Sequence, residues 1–219
     1  MSQIKITSIW RFPSPLHVGT GLSQSGVGDR TIRLEKGVPV IPGDAAKGAT
    51  RMAAERLVRW LAPGTEAEAG DHSIPRHALL RRLFAPAPNG VFYRFSMPRH
   101  LGGGEAVSIA STKIDAETGV AVNQTLRLLQ SWSSGARFEA TARGFGGEWE
   151  NRESGDYWDA VFLFAAAAAT DALGGKRSVG HGELVLETLE CSVGMPDLSD
   201  PGTMEKLRAH LANGEAGRG

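Results

Sequence analysis

Residues 41–51 read IPGDAAKGATR, and the element that opens here decides how the rest of the chain is read. Pro42 and Gly43 stop a β-rich run. From Ala45 to about Leu61, Ala46, Ala49, Ala53, Leu57 and Trp60 or Leu61 fall at helical spacing. Asp44 stands where a carboxylate caps a helix N-terminus. The stretch looks like a phosphate loop, but that loop needs G-x-x-x-x-G-K-[ST], so that consecutive N–H groups wrap the phosphates and the lysine reaches them. Here Lys47 precedes Gly48, and Asp44 puts negative charge where phosphate would sit. The motif fails, which argues against ATP hydrolysis. What remains is a helix start that projects Lys47 and Arg51, four residues apart, from one face beside unpaired N–H groups. Such a pair suits a polyanion backbone, and equally an ordinary solvated helix.

Upstream, QIKITSIWRF (3–12) alternates and is rich in β-branched and aromatic residues, a strand pattern. It enters the glycine- and serine-rich loop 13–29, then two short strands, TIRL (31–34) and VPVI (38–41), joined as a hairpin. Downstream, 76–84 reads as a basic-faced helix and VFYRFS (91–96) as a strand. Residues 97–135 are loop-rich, with a hairpin near 110–131. ARFEATAR (136–143) alternates as a half-buried strand. Residues 156–173 are apolar nearly all round, a buried helix with Gly174-Gly175 as its C-cap. A glycine-rich turn leads to a strand at 183–193, then a weak helix over 202–212 and a disordered tail. The order is strand, helix, strand, strand, helix, strand. It predicts an α+β fold of ferredoxin-like type, two helices on one face of an antiparallel sheet.

Composition bounds the function. Of 219 residues, 41% are apolar and 22% charged, so the chain is globular. No apolar run reaches the ~18–20 residues of a membrane span, and no signal pattern opens the chain, so a cytoplasmic location without membrane partners is expected. The single cysteine, Cys191, excludes an internal disulfide and a multi-cysteine zinc site. The six histidines show no ligand spacing for a preformed metal cage. Net charge is zero, yet residues 1–100 hold 14 Lys and Arg against 7 Asp and Glu, and residues 101–219 hold 10 against 17. Such polarity suits an anionic ligand or head-to-tail stacking, or arises by chance on a solvated surface. His17, on a glycine loop, reads as a hydrogen-bonding group or a general acid/base. Asp29 reads as an isolated loop acid. Lys176 and Arg177, beside the backbone amides of a tight turn, suit a phosphate as well as a plain connector.

Five ordered blocks across about 16–184 resemble the RAMP superfamily of CRISPR-associated proteins. IPGDAAKGATR is similar to its signature IPGSSLKGALR, LHVGTG (16–21) to its first-strand glycine loop, and RRLFAP (81–86) to its LFG segment. STKIDAETGVAVNQTLRLLQSWSSGARFEATARG (111–144) resembles the I-D-x-x-T-G-x-A block of its repeated backbone subunit, and GGKRSVGHGEL (174–184) its closing glycine-rich loop. The resemblance implies a modified RNA-recognition-motif palm over 1–195, with a thumb hairpin inserted at about 110–131 and a C-terminal helix and tail at 196–219. It implies a guide-RNA-binding backbone subunit of a type III or type III-derived effector. Its partners would be guide RNA, complementary target RNA, copies of itself in a filament, and other effector subunits.

RNA contacts are implied for His17, Gly19, Gly21, Lys47, Arg51, Lys113, Arg127, Lys176, Arg177 and His181. Asp44 and Ala45 replace two serines of the signature, removing hydroxyl donors. The family's target-cleaving carboxylate maps to Asp29, one residue short of the usual spacing to Arg33, with a divalent metal (Mg²⁺ or Mn²⁺) at that carboxylate if the chain cleaves. Two rival readings stand beside this one: a stand-alone guide-RNA-processing endonuclease using His17, and a binding-only backbone subunit.

Overall fold

The computed structural model describes residues 3–19, 31–64, 77–85, 91–112, 114–123, 125–175, 177 and 180–216. Strand β1 (Gln3–Phe12) alternates as its sequence demands: Ile4, Ile6, Ser8, Trp10 and Phe12 are buried, and the residues between them are not. It pairs antiparallel with β8 (Ala136–Phe145) on one side and β9 (Val185–Cys191) on the other. Strand β4 (Phe92–Phe95) completes the sheet order β4-β8-β1-β9. Strand β5 (Arg99–Gly102), which lies in the stretch read from sequence as loop, continues along the same edge of β8. With helices α1 (Gly43–Leu61) and α3 (Gly155–Ala168) in the crossovers, this is the ferredoxin-like βαββαβ order, an α+β palm with an antiparallel sheet.

The helices α2 (Ala78–Phe84) and α4 (Pro201–Ala216) pack with α1 and α3 into one apolar core against the sheet, through Ala54, Val58, Leu83, Phe162, Leu207 and Leu211 among others. A second cluster, around Trp10, Phe12, Phe138 and Ile41, fills the other end. There Phe12 and Phe138 meet edge to face at 5.7 Å.

The residue that begins α1 differs from the sequence reading. Pro42 occupies the N-cap position with no side-chain cap, and its carbonyl accepts from Ala45 and Ala46. Asp44 is exposed in the first turn, where it complements the helix dipole. Gly43 has a packing cause: a Cβ there would lie 2.9 Å from the Phe95 carbonyl oxygen, so α1 starts hard against the end of β4. The glycine of the stretch thus serves helix–strand approach and not a phosphate.

Helix α3 also ends before Gly174. Ala169 is its C-cap, and Arg56 of α1 donates to the Ala169 carbonyl at 3.0 Å and to Asp171 at 2.8 Å. A cation at the orphan carbonyls replaces the expected glycine cap. The freed residues pair with the closing loop instead, Ala172 bridging Glu183 and Leu173 donating its N–H to the Gly182 carbonyl. The expected 31–41 hairpin is shorter than read: β2 (Leu34–Glu35) and β3 (Val38–Pro39), turning at Lys36 and Gly37, both with positive φ. Helix α4 runs through Ala216, into the stretch read as disordered tail.

Candidate nucleic-acid interface

Three segments meet at the end of the sheet where β1 finishes. His17 is 5% exposed, its Nδ1 is 2.7 Å from the Gln130 carbonyl oxygen, and its own carbonyl accepts from Gly175 N–H at 2.9 Å. A Cβ on Gly19 would lie 2.9 Å from His17 Nε2, and one on Gly174 only 2.6 Å from the His17 oxygen. Gly182 has φ +72° and would place a Cβ on the Leu173 carbonyl, so no other residue fits there. His17 therefore fastens the first-strand loop, the base of the inserted hairpin and the closing glycine loop together. Buried, with Nδ1 held by the Gln130 carbonyl, it serves as a positioning group at this junction.

That hairpin, β6 (Ala106–Ser111) with β7 (Arg127–Trp132), hangs from the sheet by mutual backbone bonds of 2.8 Å between Leu16 and Trp132. Its distal part exposes Ile114, Val120, Leu126 and Leu128, at 54, 62, 68 and 39%. The IDAETG motif holds the tip. Asp115 Oδ1 accepts from the N–H groups of Thr118 and Glu117 and from the Thr118 hydroxyl, at 2.9–3.0 Å. Gly119, at φ +67°, closes the turn on the Asp115 carbonyl. Those bonds, the Thr118 amide first, lower the pKa of Asp115. The acid of the motif is thus a turn clamp. Arg127 is exposed at the start of β7.

On α1, Lys47 is half-exposed and makes no ion pair among the described residues. Arg51 lies 3.4 Å from Glu55, each about one-third exposed, so part of its charge is answered within the helix. Gly48, between them, has open space around it: a Cβ would meet nothing within 4 Å. Arg177 reaches from the closing loop to Met52 Sδ at 3.3 Å, which brings a third cation to this helix. His181 is half-buried in the same loop. Gly21, Asp29, Lys113 and Lys176 lie outside the described residues. Among the described residues no group of three metal-ligating side chains occurs, and no helix is long and apolar enough to cross a membrane.

Sequence reasoning missed a buried charge cluster behind the palm. Asp159 of α3 accepts two bonds from Arg82 of α2, at 2.9 and 2.8 Å, and sits 2.7 Å from His210 Nε2 of α4. Burial pushes the Asp159 carboxyl up, but Arg82 and His210 outweigh it and hold it below its ordinary value. The cluster ties three helices together. Its members stand 77 and 51 residues from Asp159, so no local motif marks them.

Among curated proteins no match to the chain is found. Residues 11–185 match the model of the RAMP superfamily, a span that takes in α1, α3, the hairpin and both glycine loops. With most of its 219 residues inside that match, the chain belongs to the RAMP superfamily, whose CRISPR-associated role is the binding of RNA.

Proposed function

We propose that the chain is a guide-RNA-binding backbone subunit of a multi-subunit CRISPR effector, repeated head to tail along the guide and positioning complementary target RNA. The observation that carries this reading is the junction at His17. It couples a cation-bearing helix face to a hairpin whose tip presents exposed apolar side chains. Lys47, Arg51 and Arg177 offer charge to a phosphate backbone, and Gly48 leaves the helix surface bare for close approach. Ile114, Val120 and Leu126 suit a wedge between bases, which loses stacking at each insertion and fixes register. Asp29, in the loop after the first strand, is the carboxylate assigned to target-strand cleavage.

Expression with a CRISPR array tests the assignment. The purified particle is expected to carry RNA of discrete length, and Lys47→Ala/Arg51→Ala to lose most of it. Protein that purifies without RNA, or that cuts repeat RNA unaided, sinks the reading. Burial of His17 speaks against the second of those outcomes.

A further inference from the structure

The sheet has a second face, away from α1 and α3, and its charges are distributed unevenly. At one end Arg11 and Arg137 stand directly opposite each other on β1 and β8, and Glu187 of β9 answers both, at 3.3 and 2.7 Å. On the same strand Glu139 answers Arg99 at 2.9 Å. At the other end nothing comparable happens. Arg94 of β4 opposes Arg143 of β8, and Arg143 opposes Lys5 of β1, a row of three cations across three strands. None of the three makes an ion pair among the described residues. Glu190, the acid of β9 at this end, stands opposite Thr7, a register step away from the row. Like charges set directly opposite destabilise a sheet. Beside the row, on the same face, Phe92 and Phe145 stack at 5.1 Å, with Phe92 43% exposed.

We propose that this end of the open sheet face is a binding surface for single-stranded RNA, separate from the α1 face. The row spans two interstrand gaps, about 10 Å at ~4.8 Å each. A single strand laid across the row presents successive phosphates to its cations. The phenyl pair gives a base a stacking platform, which an acidic peptide does not use. Lys47 and Arg51 ride on the helix layer covering the opposite side of the sheet, so one strand held there leaves this face open to another.

The test uses the full chain and a fluorescein-labelled 20-residue oligouridylate. Anisotropy is read from 50 to 200 mM salt, in wild type and in a Lys47→Ala/Arg51→Ala background. Arg94→Gln/Arg143→Gln is expected to weaken binding tenfold or more in both backgrounds, and to flatten the log–log salt slope by about 1.4, two phosphates at ~0.7 each. Phe92→Ala is expected to weaken it roughly 5- to 150-fold. The melting temperature of Arg94→Gln/Arg143→Gln should equal or exceed that of wild type, since a repulsive row is relieved, which separates lost binding from lost folding. Unchanged affinity and slope, or no binding left in the Lys47→Ala/Arg51→Ala background, overturns the proposal. So does loss of self-association in sedimentation with RNA affinity intact, which assigns the row to a protein contact. Loss at Arg94 and Arg143 with none at Lys47 and Arg51 upholds it and sinks the α1 reading instead.

Discussion

Gly48 shows how a single residue separates fold from function. Glycine inside a helix costs about 1 kcal/mol relative to alanine. At Gly43, the first residue of α1, a Cβ would lie 2.9 Å from the Phe95 carbonyl oxygen, so a close approach calls for glycine. Gly48 has no such contact. Gly48→Ala is therefore expected to raise stability by about 1 kcal/mol in urea unfolding, while weakening RNA binding, because a methyl group would stand on the bare helix surface one turn from Arg51. Tighter RNA binding by the alanine variant would remove Gly48 from the interface. Asp29 supplies the complementary case. Asp29→Ala in the assembled complex is expected to abolish cutting of target RNA and leave target binding unchanged; continued cutting would free Asp29 of its assigned role.

Among the elements, α4 depends most on a charged contact. Its His210 meets Asp159, which also holds Arg82 of α2. Replacing Asp159 by Asn leaves Arg82 facing a low-dielectric site without its counter-ion. The Arg82 side chain is 38% exposed, so the loss is discounted to about 2–3 kcal/mol from the range for fully buried pairs. The pH dependence has a definite sign. The Asp159 pKa is lowered by folding, so its contribution is present above the ordinary carboxylate value near 4 and is lost as pH falls through the folded value. Thermal melts from pH 6 down to pH 2 should show wild type losing stability across that window, with a shallower fall in Asp159→Asn; parallel curves would show that Asp159 does not govern it.

The same elements mark what the sequence could and could not disclose. Alternation in QIKITSIWRF and the apolar run of α3 are local patterns, and both elements lie where those patterns put them. The caps of α1 and α3 were misread because each is decided by a distant partner. Gly43 abuts the end of β4, and Arg56 of α1 serves the end of α3. Strand β5 escaped notice because RHLG carries no alternation, and only the free edge of β8 makes it a strand. The glycine loops were legible as a motif, but their cause, crowding around His17, exists only in three dimensions.

At the scale of the molecule, the charge split along the sequence is partly answered within the chain. The ferredoxin-like order interleaves the halves, placing β8 between β4 and β1. Four ion pairs, Arg11–Glu187, Arg56–Asp171, Arg82–Asp159 and Arg99–Glu139, each join a cation of the basic half to an acid of the acidic half. Much of the polarity is thus answered inside one chain, leaving less for attraction between copies. Head-to-tail stacking then has to draw on the guide itself, since RNA is the polyanion that the remaining cations can share. The expected consequence is measurable by sedimentation. Without RNA the chain should stay small at 50 mM and at 500 mM salt alike. With a guide several subunits long it should form multi-subunit particles that come apart as salt rises, because phosphate contacts release counter-ions and weaken steeply with ionic strength. RNA-free filaments at low salt that dissolve at high salt would restore direct electrostatic stacking between subunits. Particles on RNA that ignore salt would place the assembly energy in apolar contacts, with the exposed hairpin residues and Trp60, 85% exposed on α1, the first to mutate.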